Sequence, residues 1–275
     1  MEGRRAVVFP GQGTVGGEIS GAVSEAVRRY GSDGDVPYQV GVFASSVTLL
    51  ERLREAGVEP DVVAGHSLGE YAAAHAAGSL SLDDAVRLVF ERDRLMNEAS
   101  ERNPGEMMAL IGADVRAVVE AVNGFPEERG IVAAANFNTP RQVVISGERA
   151  ALEEISGSVG GRAIPLDVAG AFHSPLMLEA SLEMESLIDE IDLAEPEVPM
   201  VSAADGAILA RPDDVRLALR EQMLMPVRWI EVIDRFRELG VDEMVECGEG
   251  GTLTRMLRDF KGVEIRGAVA GRMIR

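Results

Sequence analysis

The sequence has very few residues of the types that form disulfides and metal sites. Its 275 residues include one cysteine, Cys247, and three histidines, His66, His75 and His173. A single cysteine excludes an internal disulfide and any cysteine-rich metal site. Three histidines are too few to suggest a zinc cage, so we expect no metal centre.

Positive charge is also scarce. Lysine and arginine total 27 against 46 aspartates and glutamates, which gives a net charge of −19. Because phosphate contacts require surplus basic residues, this balance argues against a nucleic-acid partner. The sequence has no apolar run long enough to cross a bilayer, and its first residues lack the apolar stretch of a signal peptide. These features favour a soluble cytoplasmic protein that is not attached to a membrane.

The order of apolar segments indicates the fold class. Short apolar runs, such as residues 6–9 and 61–64, alternate with longer segments of helical periodicity, which is typical of an α/β protein. Between residues 107 and 168 the order becomes β-α-β-β-α-β, that of a ferredoxin-like unit. We therefore predict a larger α/β domain with a parallel sheet, formed by residues 1–105 and 170–275. The ferredoxin-like α+β subdomain, residues 106–169, is inserted into it.

One motif points to nucleophilic chemistry. Gly65-x-Ser67-x-Gly69 lies between the strand predicted at residues 61–64 and a helix predicted at residues 68–77. In that context the pattern is typical of the nucleophile elbow of α/β-hydrolases. The turn would expose the Ser67 hydroxyl at a helix N-terminus, where free N–H groups favour a developing negative charge. A purely structural turn is the alternative.

A serine nucleophile needs a base, and the histidines are the candidates. His66 adjoins Ser67 and should point elsewhere from a sharp turn. His75 lies about 12 Å further along the following helix. Elimination leaves His173, which follows the inserted unit and can line the cleft between the two parts of the fold. The alternative is a buried histidine with a structural role.

Arg92 is an anomaly in its helix. It lies at the centre of an apolar stripe on the helix predicted after Ser81, and no acid on that helix shares its face. An arginine in this position must be paired or must face a cleft. Binding of an anionic substrate group is one interpretation. The alternatives are a side chain that extends along the helix to solvent, or a salt bridge to a distant carboxylate.

A glycine-rich loop follows the first predicted strand. Residues 11–16 match the G-x-G-x-x-G pattern of dinucleotide-binding loops. Such a site also requires an acid at the end of the second strand, whereas Asp33 and Asp35 lie in a predicted loop. A loop that delivers a backbone N–H to an oxyanion hole beside Ser67 fits this position better.

These motifs together resemble one family. The chain is similar to the malonyl-CoA:acyl carrier protein transacylases and to the acyltransferase domains of polyketide synthases. The matching segments follow the family order over almost the whole chain: FPGQG from residue 9, GHSLGEY from residue 65, Arg92 with Leu95-Met96, NFNTP from residue 136, AFHSPLM from residue 171 and PVRW from residue 226. The segment between residues 13 and 39 is shorter than is usual in the family.

The resemblance implies a function and a set of site residues. The expected reaction transfers a malonyl group from malonyl-CoA to the phosphopantetheine thiol of an acyl carrier protein. It proceeds through a malonyl-serine, without a cofactor, on a monomeric enzyme. Ser67 would carry the acyl group and His173 would be its base. Backbone N–H groups of Gln12 and Leu68 would form the oxyanion hole, and Arg92 would bind the malonyl carboxylate.

The resemblance also implies supporting residues. Asn136 and Asn138 would shape the cleft, and a main-chain carbonyl near Leu239 would orient the histidine. Phe172, next to the base, would fill the space that an α-methyl branch requires. The Ala-Phe-His sequence at residues 171–173 resembles malonyl rather than methylmalonyl acyltransferases.

Three other functions remain open at this point. A serine esterase or thioesterase could use the same elbow, but such enzymes usually place an acid between serine and histidine and the histidine near the C-terminus. Here roughly a third of the chain follows His173. An inactive module that docks carrier proteins and a dinucleotide-dependent reductase are the remaining alternatives.

Overall fold

The computed structural model describes residues 3–14, 16–31 and 36–274. Strands in these ranges form two sheets, one of six strands and one of four. This arrangement confirms the predicted α/β class with a second, inserted sheet.

The larger sheet is mostly parallel. Its strands are β1 (Arg4–Phe9), β2 (Val62–Gly65), β7 (Met200–Val201), β8 (Ile208–Leu209), β9 (Val241–Glu246) and β10 (Arg266–Val269). They lie in the order β10-β9-β1-β2-β7-β8. All neighbours are parallel except β7 and β8, which pair antiparallel. The strands β1 and β2 therefore lie side by side at the centre, and their carboxyl ends meet at one edge of the sheet.

Helices cover both faces of this sheet. They are α1 (Gly21–Tyr30), α2 (Tyr38–Glu55), α3 (Gly69–Ala76), α4 (Leu82–Arg102), α7 (Leu178–Asp189), α8 (Pro212–Glu221), α9 (Trp229–Glu238), α10 (Thr252–Met256) and α11 (Ala270–Met273). Alternate residues of β1 belong to different cores: Val7 and Phe9 pack with α2, α3 and α4, whereas Ala6 and Val8 pack with α9. Burial on both faces explains why the central strands are continuous apolar runs. None of the helices within the described ranges has the length and low polarity that a membrane span requires.

The smaller sheet forms the predicted ferredoxin-like unit. Its elements are β3 (Glu106–Ile111), α5 (Val115–Asn123), β4 (Val132–Thr139), β5 (Gln142–Gly147), α6 (Arg149–Val159) and β6 (Arg162–Pro165). The strands are antiparallel in the order β4-β5-β3-β6, so the first and third strands of the unit are central. The subdomain boundaries at residues 106 and 169 stay a prediction, because strand positions alone do not define a folding unit.

Some elements were not predicted from the sequence. Strands β8 and β10 and helix α11 are additional, and the helix predicted over residues 175–191 begins as a 3₁₀ turn, Pro175–Met177. Strand β10 is an edge strand in which only Val269 is buried. An edge strand with one buried side chain has no apolar run to mark it in a sequence.

The two central strands meet helix α3 at very short range. A Cβ atom on Gly69 would lie 2.0 Å from the carbonyl oxygen of Phe9, and a Cβ on Gly65 would lie 2.1 Å from the carbonyl carbon of Gly69. Any side chain at either position would separate the helix from the strands. The absence of a Cβ atom at these two glycines therefore allows the backbone of α3 to contact the ends of β1 and β2 directly.

This close approach generates a stability prediction. The Gly69→Ala substitution forces backbone atoms apart, which costs more than the roughly 1–3 kcal/mol typical of overpacked side chains. We expect the free energy of unfolding, measured with urea, to fall by about 3 kcal/mol or more. Gly157→Ala in α6 is the control, because its Cβ would meet no heavy atom within 4 Å. That change should be neutral or stabilising by up to about 1 kcal/mol. Equal effects of the two substitutions would contradict the argument.

Candidate active site

Two residues of the site have an unusual backbone conformation. Ser67, in the turn between β2 and α3, has a φ of 52°, and His173 has a φ of 57°. They are the two non-glycine residues with positive φ in the described part of the chain. Such a conformation costs roughly 1–3 kcal/mol and persists only where the surroundings impose it. Both strained residues belong to the same contact.

The side chains of Ser67 and His173 are hydrogen-bonded. The Oγ of Ser67 lies 2.8 Å from Nε2 of His173, and Nδ1 of the same ring lies 2.9 Å from the carbonyl oxygen of Met225. A carbonyl oxygen can only accept a hydrogen bond, so we assign the ring proton to Nδ1. Nε2 is then free to accept the proton of the Ser67 hydroxyl. This is the arrangement of a nucleophile and its general base.

The carbonyl that orients His173 belongs to Met225, and the prediction of Leu239 was wrong. The carbonyl oxygen of Leu239 accepts a hydrogen bond from Nη1 of Arg4 at 2.9 Å instead. Leu239 ends helix α9, which packs on the opposite face of the sheet. The segment after Met225 is held against strand β4, because Val227 exchanges backbone hydrogen bonds of 2.8 Å with Ala135 and Phe137. Sequence spacing does not reveal this pairing.

Burial keeps the base neutral. His173 is 4% exposed, and burial lowers the pKa of its imidazole to about 3, with the positive charge of Arg92 acting in the same direction. Neither of the other two histidines is hydrogen-bonded to Ser67, although His66 lines the same cavity as Ser67 and His173. Nε2 of His66 lies 2.8 Å from Oδ1 of Asn138, and Nδ1 of His75 lies 3.0 Å from the carbonyl oxygen of Leu80.

Arg92 is fully buried, and its guanidinium reaches the serine. Its Nη2 donates to the Oγ of Ser67 at 3.1 Å, its Nε donates to Oε1 of Gln222 at 3.0 Å, and its Nη1 donates to Oε1 of Gln39. These bonds use three of the five N–H donors of an arginine. No carboxylate in the described ranges forms a salt bridge with it, so its charge is solvated by neutral groups. Full burial excludes a side chain that extends along the helix to solvent, and the binding of a substrate anion by Arg92 stays a prediction.

Gln39 and Gln222 were missed from the sequence. They are 1% and 4% exposed, and Nε2 of Gln222 also donates to the carbonyl oxygen of Ser67 at 2.7 Å. An amide can accept from a guanidinium without neutralising its charge. In the sequence, each glutamine is a polar residue within an apolar segment. A polar side chain that is buried requires hydrogen-bond partners, and this requirement could have marked both residues as candidates for the site.

The predicted oxyanion-hole residues lie at the nucleophile. Gln12 lines a cavity of about 80 Å³ together with Ser67 and His173. Leu68 directly follows the nucleophile and precedes the first residue of α3. In the described part of the chain, neither of their backbone N–H groups has a hydrogen-bond acceptor. Both donors are therefore unoccupied, and their role as an oxyanion hole stays a prediction.

The predicted cleft residues have different positions. Asn136 and Phe172 line the cavity beside Ser67, whereas Asn138 is buried and hydrogen-bonded to His66. Phe172 also lines a second pocket of about 370 Å³, which shares Gln12 and Val168 with the cavity beside Ser67. The small size of the inner cavity favours a short acyl group. A pocket of about 650 Å³ beside β10 contains none of the predicted site residues.

Comparison with known proteins identifies the family. A family model described as an acyl transferase domain matches residues 22–275. The chain therefore belongs to the acyl transferase family.

The similar proteins are more specific. The chain is 35% identical over 282 residues to the malonyl CoA-acyl carrier protein transacylase of Bacillus subtilis, which covers 92% of this chain and 89% of the relative. The crystal structure of malonyl-CoA:ACP transacylase from Synechocystis superposes with a TM-score of 0.86 at 30% identity, over 97% of this chain and 96% of that one. A malonyl-transacylase in complex with a type II polyketide carrier protein gives a TM-score of 0.87 at 30% identity, over 97% and 95% of the two chains.

The lowered pKa of His173 generates a prediction about pH. A histidine with a pKa near 6.5 would be mostly protonated at about pH 5 and unable to accept a proton. Because burial lowers the pKa of His173 to about 3, the neutral form persists there. We expect the rate at which phenylmethylsulfonyl fluoride modifies Ser67 to stay within about twofold between roughly pH 5 and pH 8. His173→Asn, which has no base, should react slowly at every pH. A half-maximal rate near pH 6.5 would show that the imidazole is not shielded.

Proposed function

We propose that this chain transfers a malonyl group from malonyl-CoA to the phosphopantetheine thiol of an acyl carrier protein. The observation that carries the proposal is the guanidinium of Arg92, which is buried, unneutralised and 3.1 Å from the Oγ of Ser67. An acyl group with its own carboxylate supplies the anion that this cation lacks. The relatives from Bacillus subtilis and Synechocystis are both called malonyl-CoA:acyl carrier protein transacylases, which supports the same substrate.

The first half-reaction acylates the serine. Nε2 of His173 takes the hydroxyl proton of Ser67, and Oγ attacks the thioester carbonyl carbon of malonyl-CoA. The N–H groups of Gln12 and Leu68 hold the oxyanion, where the loss of one such donor typically costs about 3–4 kcal/mol. The C–S bond then breaks, the coenzyme A sulfur receives the proton from Nε2, and malonyl-Ser67 remains.

The second half-reaction reverses these roles. The phosphopantetheine thiol of the carrier protein gives its proton to Nε2 of His173, and its sulfur attacks the ester carbonyl of malonyl-Ser67. The C–Oγ bond breaks and the proton returns to Oγ. Throughout, Arg92 holds the malonyl carboxylate, so the carbonyl carbon stays beside the nucleophile.

The remaining features of the proposal follow from this chemistry. Serine-based acyl transfer requires no cofactor, because coenzyme A is part of the substrate. Phe172 limits the space beside the acyl group, and Asn138 holds His66 at the base of the cleft. We place the reaction in the cytoplasm, on a single copy of the chain.

The orientation of His173 disfavours an esterase. In serine hydrolases a buried aspartate or glutamate usually accepts the bond from the imidazole Nδ1 and stabilises the imidazolium. Here the acceptor is the neutral carbonyl of Met225. The site is suited to transfer between two thiols, whose protons are easily exchanged, rather than to activation of water.

The role of Ser67 can be tested by mass spectrometry of the intact protein. After incubation with malonyl-CoA, the wild-type protein should gain one malonyl group and pass it to added holo carrier protein. Ser67→Ala should gain none, and transfer should fall by about a thousandfold or more. Ser186→Ala, which removes an exposed hydroxyl on α7, should behave as wild type. Persistent labelling of Ser67→Ala would refute the assignment, and release of free malonate without transfer would support a hydrolase.

The role of Arg92 can be tested by the choice between acyl groups. Arg92→Met keeps an unbranched apolar side chain but removes the charge. Since leaving one buried charge unpaired costs roughly 3–5 kcal/mol, the ratio of kcat/KM for malonyl-CoA over acetyl-CoA should fall by about a hundredfold or more. Arg87→Met on the same helix, which loses only a surface salt bridge to Glu190, should leave the ratio unchanged. An equal loss for both substrates would assign Arg92 a purely structural role.

A further inference from the structure

One buried glutamine contacts both the nucleophile and the arginine, and the reaction described above gives it no role. Gln222 directly follows the last residue of α8 and is 4% exposed. The chain turns at this point, and the N–H of Met225 donates to the carbonyl oxygen of Glu221 at 3.0 Å. The carbonyl of Met225 in turn orients His173. Gln222 and the group that orients the base therefore belong to one short turn.

The partners of Gln222 decide which end of its amide faces which group. A guanidinium can only donate hydrogen bonds, and a carbonyl oxygen can only accept them. The amide oxygen Oε1 therefore faces Nε of Arg92 at 3.0 Å, and Nε2 donates to the carbonyl oxygen of Ser67 at 2.7 Å. An apolar side chain can form neither bond, and a carboxylate has no hydrogen to donate to Ser67. The glutamine amide satisfies both partners at once.

The carbonyl oxygen of Ser67 is held from two sides. Besides the amide of Gln222, the backbone N–H of Glu70 in the first turn of α3 donates to it at 2.9 Å. A carbonyl oxygen has two lone pairs, so these two bonds use its full capacity. Because Ser67 has a positive φ, its conformation persists only where the surroundings impose it. The two hydrogen bonds are part of that constraint.

The same peptide unit carries one of the proposed oxyanion donors. The carbonyl of Ser67 and the N–H of Leu68 are the two ends of one planar trans peptide unit, so they point in opposite directions. A constraint on the carbonyl therefore fixes the direction of the N–H as well. In the described part of the chain that N–H has no hydrogen-bond acceptor. The side chain of Gln222 thus controls the direction of a donor that it does not contact.

We propose that Gln222 is a positioning residue, which directs the Leu68 N–H toward the oxyanion by holding the carbonyl of the same peptide unit. The inference rests on the proposed function, since the oxyanion forms only during acyl transfer through Ser67. A donor that already points at the developing charge stabilises the transition state without any reorganisation. Gln222 supplies this preorganisation through the backbone, because it does not line the cavity beside Ser67.

The first test measures acylation of Ser67 in Gln222→Met, which keeps an unbranched side chain of similar length and loses both hydrogen bonds. Removal of an oxyanion donor typically costs about 10²–10³ in kcat, and a misdirected donor should cost less. We therefore expect kcat to fall by about tenfold to a hundredfold for both malonyl-CoA and acetyl-CoA, since both form the oxyanion at the thioester carbonyl. KM should stay within about twofold, because the bound substrate carries no oxyanion.

A second variant removes the bond to Ser67 alone. Gln222→Glu keeps an acceptor for Arg92 and has the same shape, but a carboxylate that is ionised beside this cation cannot donate to the Ser67 carbonyl. With acetyl-CoA, which has no carboxylate for Arg92 to bind, kcat should fall at about pH 8 by as much as in Gln222→Met. Thermal unfolding shows whether each variant is folded, and either variant suffices for the test.

Infrared spectroscopy of the acyl-enzyme reports on the oxyanion donors directly. A hydrogen bond to an ester carbonyl lowers its stretching frequency, and a carbon-13 label in the acyl carbonyl isolates its band. The acyl group on Ser67 of the folded Gln222 variants should therefore absorb at a higher wavenumber than in the wild-type protein, because the Leu68 N–H no longer points at its oxygen. A purely structural role of Gln222 would lower stability without moving this band.

The control and the outcomes separate the two proposals. Gln142→Met makes the same change at a partly buried glutamine of β5 whose side chain forms no hydrogen bond within the described ranges, and it should leave the rates and the band unchanged. An unshifted band in the folded Gln222 variants would overturn the positioning role. A loss confined to malonyl-CoA would also overturn it, since Gln222 would then act through Arg92 alone. A wild-type protein that forms no acyl-serine would overturn the proposed function instead.

Discussion

The close contact of helix α3 with the ends of β1 and β2 determines the rest of the site. Gly65 and Gly69 bring the backbone of the helix against that of the strands, where a Cβ at either position would lie about 2 Å from backbone atoms. The turn between them is then so tight that Ser67 adopts a positive φ. Because β1 is the parallel neighbour of β2, the loop that carries Gln12 ends beside the same serine. The nucleophile and one proposed oxyanion donor are thus placed by backbone packing alone.

A second constraint is the way the buried charge of Arg92 is solvated. Gln39 and Gln222 give it two neutral acceptors, and Ser67 gives it a third. A carboxylate in either glutamine position would satisfy the guanidinium and leave nothing for a substrate to add. Amides hold the same geometry and leave the positive charge in place, where a low dielectric makes it effective at a distance. Under the proposed function, substrate preference would therefore depend on the groups that surround the arginine as well as on the arginine itself.

Burial also separates the protonation states of the titratable groups. The imidazole of His173 and the carboxyl of Glu70 both avoid charge, for the histidine by a lowered pKa and for the glutamate by a raised one. A neutral histidine is a base that is ready to accept a proton. A buried glutamate with a raised pKa is more easily kept in its neutral form. The same physical cause, burial, thus shifts the two pKa values in opposite directions.

The sequence by itself determined the fold class, the turn at Ser67, the choice of His173 as the candidate base and the anomaly of Arg92. Each of these is local, since it depends on apolar periodicity, on glycine spacing or on a charge in an apolar stripe. The tertiary structure alone decided the partners. It showed that Met225 rather than Leu239 orients the histidine, and that Gln39 and Gln222 bind the arginine. These contacts join residues that are distant in the chain. Strands such as β10 are likewise stabilised by pairing with a neighbouring strand, and they have no apolar run that would mark them in the sequence. Hydrogen-bond partners and pKa values depend on such three-dimensional proximity, which a single sequence does not encode in any local signal.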